Sequence, residues 1–251
     1  MAPASASTSR LERHNLRREQ LARIRHRHHG YQVQLLTISL LLLVQPLAQR
    51  WPLINSVGAI ILSLVMLLLL ARYSALRSRR RFLYGLGVAA IVSELLWLLG
   101  LATVPDLAIH LASAHLVIWT LFIGNFLLRK ARALMLEPYV TRAVVMGAAS
   151  GYLLIGYLGA FLLHTLLLWD PGAFAIERLT PGLDPVQAPI QAFPAMVMAS
   201  FGALTTTGAD IARPGQVLAA TGCLAITIVG QLYVAVLIAL ILGRFHRRGG
   251  F

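Results

Sequence analysis

Hydrophobic residues in this chain form long runs, unlike the short alternating clusters of a soluble domain. Five runs of 20 to 30 residues carry no charge, at 30–49, 51–71, 107–128, 143–169 and 214–243. Each run is long enough to cross a bilayer as a helix, which takes about 20 apolar residues. A sixth apolar stretch, 82–104, is interrupted only by Glu94. The pattern predicts an all-α membrane protein with six transmembrane helices, at 31–49, 52–71, 82–104, 107–128, 143–169 and 215–243.

The composition also favours a membrane protein and argues against soluble, disulfide-linked and secreted proteins. Of the 251 residues, 58% are hydrophobic and only 12% are charged, whereas soluble domains carry about 25% charged residues. The single cysteine, Cys223, excludes a disulfide framework and a cysteine-based metal site. Residues 1–30 are basic and polar without an apolar core, which predicts a cytoplasmic arm rather than a secretory signal.

The basic residues predict the orientation of the spans. Nineteen of the 22 Lys and Arg residues fall on one side of the predicted topology, within 10–27, 72–81, 129–142 and 244–248; the other side has only Arg50, Arg178 and Arg213. Because basic residues concentrate in cytoplasmic loops, we expect both termini to be cytoplasmic and the chain to lie in the plasma (inner) membrane. Much of the net charge of +13 then forms a belt that faces anionic lipids, and we expect no nucleic-acid partner.

The stretch between the fifth and sixth spans carries the candidate chemistry. Residues 191–204 predict a helix of about 21 Å, too short for the hydrocarbon core, followed by a polar segment: Thr205, Thr206, Thr207, Gly208, Ala209 and Asp210. A helix that ends inside the membrane is expected to leave carbonyls unpaired, and its C-terminal end favours a cation. Irregular backbone at that depth is tolerated where it lines a water-filled path, and threonine oxygens can replace a cation's hydration shell. Asp210 would concentrate cations at the mouth.

This order of elements resembles the pore module of the potassium channel superfamily. Six spans in 251 residues are similar to small prokaryotic six-helix potassium channels, and the segments 151–156 and 229–238 resemble the family's outer and inner helices. The likeness covers about residues 140–245. It implies a homotetramer around one ion path, with K⁺ or Na⁺ as permeant ions and no other cofactor or metal.

One departure concerns ion selectivity. The family's filter reads Thr-Val-Gly-Tyr-Gly-Asp, whereas this chain reads Thr-Thr-Gly-Ala-Asp at 206–210. Ala209 replaces the Tyr and the second Gly, as in the shortened filters of poorly selective, cyclic-nucleotide-gated cation channels. The resemblance therefore implies conduction of monovalent cations more firmly than strict selectivity for potassium.

These features divide the chain into four parts. They are a basic arm (1–30), a four-helix membrane domain (31–128), a cytoplasmic linker (129–141) and a pore domain (142–251). Within the pore domain we expect an outer helix, a pore helix (191–204), a filter (205–210) and an inner helix (215–243). The span 107–128 contains no Arg or Lys, so a steep voltage sensor is not expected in it.

Several further residues have both a functional and a structural interpretation. Glu94, with His110 or His115 as a partner, is a candidate intramembrane proton sensor or simply a buried pair. Asp170, Glu177 and Asp184 are candidate acids around the outer mouth or ordinary solvated loop residues. Gly222 and Gly230 suit either a gating hinge or close helix packing.

Three other classes of protein are alternatives to a cation channel. A secondary transporter would show paired broken helices in two halves of the chain, and only one broken segment is present. A non-conducting, regulatory channel-like protein would share the pore module. An enzyme is not expected, because the spans contain no His-x-x-x-His, no Gly-x-Ser-x-Gly and no paired acids.

Overall fold

The computed structural model describes residues 29–51, 53–72, 80–103, 105–136, 141–179, 191–208 and 211–246. The elements named in these ranges are helices, in agreement with the predicted all-α class. In chain order they are α1 (His29–Leu43), α2 (Gln45–Arg50), α3 (Leu53–Arg72), α4 (Arg80–Thr103), α5 (Pro105–Met135), α6 (Arg142–Trp169), a 3₁₀ turn (Pro171–Ala173), α7 (Ile176–Leu179), α8 (Phe193–Leu204) and α9 (Val217–His246).

Five of these helices are long and apolar enough to cross a membrane. The segments that meet this condition are Leu53–Leu70, Arg81–Leu101, Leu111–Met135, Arg142–Trp169 and Val217–Ala239. They correspond to the second through sixth predicted spans. The prediction of an integral membrane protein is thereby confirmed at the level of helix length and composition.

The first predicted span, 31–49, is divided into two helices. The helical pattern of backbone hydrogen bonds is interrupted next to Val44, because Pro46 has no N–H and its ring crowds the carbonyl four residues before it. Two helix-type hydrogen bonds still connect the two pieces. The N–H of Val44 donates to the carbonyl of Leu40, and the N–H of Ala48 donates to the carbonyl of Val44, both at 3.0 Å. Neither piece alone is long enough to span, although α1 and α2 together extend about 33 Å.

Helix α5 runs beyond its predicted end at residue 128 and reaches Met135. The predicted linker therefore begins as helix, and this changes the place of Lys130. Lys130 shares the buried face of α5 with Phe126 and Leu134, four residues before and after it. Lys130, one of the 19 basic residues assigned to the cytoplasmic side, is only 2% exposed, so it does not belong to the belt that faces lipid.

Neutral polar groups contact the buried Lys130 side chain. Its Nζ donates to Gln34 Oε1 at 2.6 Å and to Ser150 Oγ, and it lies 5.7 Å from the centre of the Tyr31 ring. These contacts join α1, α5 and α6 near the arginine-rich end of the bundle. A buried amino group requires such hydrogen bonds to offset its lost hydration.

Helix α6 lies at the centre of the molecule and positions the candidate site. It packs against α5 on one side and against α8 and α9 on the other. Arg142, its first residue, follows Thr141, whose Oγ1 accepts from the N–H of Val144 as an N-cap. The short helix α8 is held between α6 and α9, with α2 also in contact with it.

Candidate functional site

The predicted short helix is present as α8 and begins two residues later than expected. Its 12 residues extend about 18 Å. Pro194 occupies its first turn, where the missing proline N–H costs nothing. On the α6 side, Gly156 lies against the ring of Phe201, and Ser200 Oγ donates to the Gly156 carbonyl at 2.7 Å. The close approach of the two helices depends on this small residue.

Two hydroxyls fix the depth at which α8 ends. Tyr152 OH donates to the carbonyl of Leu204 at 3.0 Å, and Thr227 Oγ1 donates to that of Ala203 at 2.8 Å. Tyr152 lies ten residues from the start of α6, and Thr227 lies ten residues from the start of α9. These helices start at opposite ends of the bundle, so the Cα atoms of Tyr152 and Thr227 lie about 15 Å along the helix axes from opposite ends. The end of α8 therefore lies in the interior of the bundle, away from both of its ends.

The last four carbonyls of α8 all accept hydrogen bonds, which corrects the expectation that they would be unpaired. The donors come from the turn that follows the helix and from the two flanking helices. The pairs are Thr205 N to Phe201 O, Gly208 N to Gly202 O, Thr206 N and Thr227 Oγ1 to Ala203 O, and Tyr152 OH to Leu204 O. The helix dipole still ends here, but the protein itself satisfies the carbonyls that were expected to be orphaned.

The turn at 205–208 has an irregular backbone. Thr205 has φ −89°, Thr206 has φ 60° and Gly208 has φ 99°. A threonine in the left-handed region is uncommon and strained. All four residues are exposed.

Most of the N–H and O–H groups of this turn donate to carbonyls of the protein itself. The N–H groups of Thr205, Thr206 and Gly208 are used by the helix end. The threonine hydroxyls each donate to a backbone carbonyl, namely Thr205 to Phe201, Thr206 to Thr205 and Thr207 to Gly202. The hydroxyl oxygens of Thr205 and Thr207 also lie 3.1 Å apart. The threonine oxygens of this exposed turn retain lone pairs, and oxygen atoms are the ligands that hard cations accept.

Gly202 is a site residue that the sequence analysis did not identify. A Cβ atom on Gly202 would lie 2.1 Å from the carbonyl oxygen of Gly208. No side chain fits at this position without displacing the turn. Gly208 itself, which was predicted, is required by its positive φ.

The candidate mouth acids are only partly described. Asp184, Ala209 and Asp210 lie outside the described residues. Asp170 is exposed at the end of α6. Glu177 is exposed and pairs with Arg213 at 2.6 Å; its own backbone hydrogen bond, followed by Arg213, lowers the pKa of its carboxyl.

The segments on either side of the turn are fastened together. The N–H of Ala175 donates to Ile211 at 2.9 Å, and the N–H of Arg213 donates to Ala173 at 3.0 Å. With the Glu177–Arg213 pair, these bonds connect the chain after α6 to the chain before α9. The charge of Glu177 is balanced locally by Arg213, which weakens it as an attractor of cations.

Both candidate hinge glycines lie within the continuous helix α9. A Cβ on Gly222 would lie 2.9 Å from Leu163 of α6, and one on Gly230 would lie 2.3 Å from Leu204 of α8. Each glycine therefore permits close packing. Their use as a hinge stays a prediction.

The structure brings Glu94 and His115 together. His115 Nε2 lies 3.8 Å from Glu94 Oε2, and Trp119 Nε1 donates to the same oxygen at 2.9 Å. Both Glu94 and His115 are buried. The side chain of His110 lies outside the described set. The sensor role of this pair stays a prediction.

Sequence reasoning missed the polar residues that position α8. Tyr152, Ser200, Thr227 and His164 were not singled out, although each is a polar side chain in an apolar helix. That contrast is itself a signal, because polar groups at membrane depth must find partners.

Comparison with known proteins identifies no relative of this chain: no family model matches it, and neither a curated protein nor a solved structure matches it.

Proposed function

We propose that this chain is one subunit of a tetrameric channel for monovalent cations, with the threonine-rich turn after α8 as part of the permeation path. Helices α1 and α2 together form a sixth span beside the five long helices, and both termini are cytoplasmic. The proposal includes K⁺ and Na⁺ as permeant ions, because the shortened 206–210 segment lacks the family's Tyr-Gly.

The observation that carries the proposal is the exposed turn at 205–208. It lies at the end of a helix that stops inside the bundle, which in the proposed topology is about halfway through the hydrocarbon core, and its residues are exposed in the single chain. Irregular polar backbone at that depth is unstable against lipid and is tolerated only when covered by protein or facing water. Further copies of the chain, arranged so that the turns meet around a water-filled axis, satisfy both conditions.

Helix α9 supports the same assembly. Only 17% of the residues in the most apolar 18-residue stretch of α9 are buried within the chain, compared with 67% in the corresponding stretch of α6. The exposed side of α9 carries large apolar residues, among them Leu224, Ile228, Leu232 and Val236. Neighbouring subunits would cover part of this surface, and lipid would cover the remainder.

The test measures assembly and ion flux on the same purified protein. We expect native mass spectrometry to give a complex of four 27.4 kDa chains, and liposomes containing it to admit K⁺ or Na⁺ down an electrochemical gradient. Gly208→Val should lower the flux at least about tenfold without removing the tetramer, because a β-branched residue does not adopt the φ of 99°.

Thr120→Val serves as the matched control. Thr120 donates only to Leu116 within its own helix, so the variant should conduct as the parent does. A folded protein that is monomeric or dimeric in lipid, or a tetramer without flux at any voltage and pH, would overturn the proposal. Saturable flux that requires a counter-ion would instead identify a secondary transporter.

A further inference from the structure

The Glu94 carboxylate lies in a buried polar cluster outside the candidate ion path. It is 4% exposed and is hydrogen-bonded by Trp119 and by Ser56. His115 stacks on the Trp97 ring with centroids 4.9 Å apart, which holds its imidazole beside the carboxylate. These contacts join α3, α4 and α5.

A cavity of about 50 Å³ opens beside this cluster. A single water requires about 10–15 Å³ by this measure and two to four polar partners, so the space accommodates water. Asn55, Ser56, Glu94, His115 and His164 supply polar walls. The indole N–H of Trp97, which also lines the cavity, is buried without a hydrogen-bond partner.

The pore helix forms the opposite wall of this cavity. Phe193 and Pro194, the first two residues of α8, line it together with Gln191. Two series of ring contacts connect the cluster to Phe193. In one, Trp119 stacks on Phe161 at 5.4 Å and Phe161 lies 4.8 Å from Phe193. In the other, His164 lies 5.7 Å from Phe193.

The charge around Glu94 comes from few groups. Among the described residues that line the cavity, the titratable ones are Glu94 of α4, His115 of α5 and His164 of α6. The described lining residues of α2, α3 and α8 are uncharged, and no Lys or Arg is among them. The side chains of Asp106 and His110 lie outside the described set. With neutral imidazoles the cluster carries one negative charge, near the positive end of the α8 dipole.

We propose that Glu94 and His115 form a proton-binding site that controls the pore helix from its N-terminal end. A proton from the water-filled cavity binds the pair and cancels its negative charge. The interaction between that charge and the first turn of α8 is then lost, and the helix is held less firmly. This inference rests on the proposed channel function, and it makes conduction decrease as the pH falls.

The first experiment measures flux at a series of pH values between about pH 5 and pH 8. We expect the flux of the parent to decrease about tenfold toward the acid end, as expected from the loss of a partly buried charge–dipole interaction. Glu94→Gln should remove this pH dependence, and Glu94→Asp should retain it with a shifted midpoint. Ser93→Ala, in which the lost hydroxyl bonds only to Ala90, is the matched control.

The second experiment follows proton binding without conduction. Because Trp119 donates to Glu94, tryptophan fluorescence of the full-length oligomer should titrate with pH in the parent and in Ser93→Ala, but not in Glu94→Gln. If cations flow but Glu94→Gln keeps the parental pH profile, the proton site is refuted and the channel stands. If no cations flow while the fluorescence titration depends on Glu94, the channel proposal fails and the proton site remains.

Discussion

Helices α6 and α9 flank the same short helix but have very different surroundings. Their most apolar 18-residue stretches have mean hydropathies of 1.8 and 2.2, yet 67% of the residues are buried in the first and 17% in the second. Hydropathy therefore reports that both helices are apolar enough to cross a membrane and says nothing about their neighbours. The difference indicates that α6 is fixed by its own chain, whereas α9 depends on whatever lies outside it.

Glycines illustrate how the two helices differ. In α6, a Cβ on Gly156 would lie 2.5–2.7 Å from three ring atoms of Phe201. In α9, a Cβ on Gly230 would meet chiefly one terminal methyl group of Leu204, at 2.3 Å. A rigid ring packed between two helices cannot move away as a leucine methyl can, so α6 has less tolerance for added volume.

The largest expected effect is that of Gly156→Ala. Overpacking of this kind costs about 1–3 kcal/mol, and we expect a clear fall in the melting temperature of the purified protein. Gly230→Ala should cost less, because Leu204 can change rotamer. Gly85→Ala in α4, where nothing lies within 4 Å of the added Cβ, should be neutral or stabilising by up to about 1 kcal/mol.

The order of these three melting temperatures tests whether α6 is more tightly packed than α9. If Gly230→Ala proves as damaging as Gly156→Ala, then α9 is as tightly enclosed as α6. The distinction drawn between a helix fixed within the chain and a helix fixed by neighbours would be lost.

The positions of the long helices could be predicted from sequence to within a few residues. The predicted outer span 143–169 is observed as Arg142–Trp169, because apolar runs and flanking arginines mark span ends directly. The local exceptions have local causes. Pro46 divides the first span, and α5 continues past Arg129 because Lys130 finds partners inside the bundle.

The candidate site was predictable in outline only. A short helix and an irregular threonine segment follow from proline spacing and composition. The partners of the helix end do not, since Tyr152 is 52 residues from the Leu204 carbonyl that it bonds, and its direction depends on how two helices are rotated against each other. His164 was missed because nothing in the sequence connects it to Phe193.

The second prediction compares the stability that is lost when either of the two hydroxyls at the end of α8 is removed. Tyr152→Phe, in α6, removes the donor to the Leu204 carbonyl and should cost about 1–3 kcal/mol, the penalty for an unsatisfied buried group. Thr227→Val, in α9, should cost about 1 kcal/mol or less, because the Ala203 carbonyl keeps its bond from Thr206.

Thermal unfolding of both variants, beside Thr120→Val, measures this difference. We expect Tyr152→Phe to lower the melting temperature more than Thr227→Val, and both to alter cation flux. A larger loss from Thr227→Val would mean that α9, rather than α6, fixes the depth of the helix end.

The smallest expected effect concerns the ion pair of Glu177 and Arg213, which joins the segment after α6 to the segment before α9. The folded protein lowers the pKa of Glu177 through its own backbone hydrogen bond and through Arg213. Any stability from this shift is present above the unfolded pKa and is lost as the pH falls through the folded pKa. The pair is exposed, so salt screens it and its contribution is small. We therefore expect Glu177→Gln to lower the melting temperature slightly at neutral pH and not at all in acid.

A double-mutant cycle with Arg213→Gln isolates the pair from other effects of each change. At neutral pH and low salt, the double variant should lose no more than either single variant, and the coupling should vanish in high salt. If the difference between the parent and Glu177→Gln grew toward acid pH, the folded pKa would be raised instead of lowered. The two segments would then be held by the backbone bonds of Ala175 and Arg213 alone, and α9 would depend even less on the rest of its own chain than its exposure indicates.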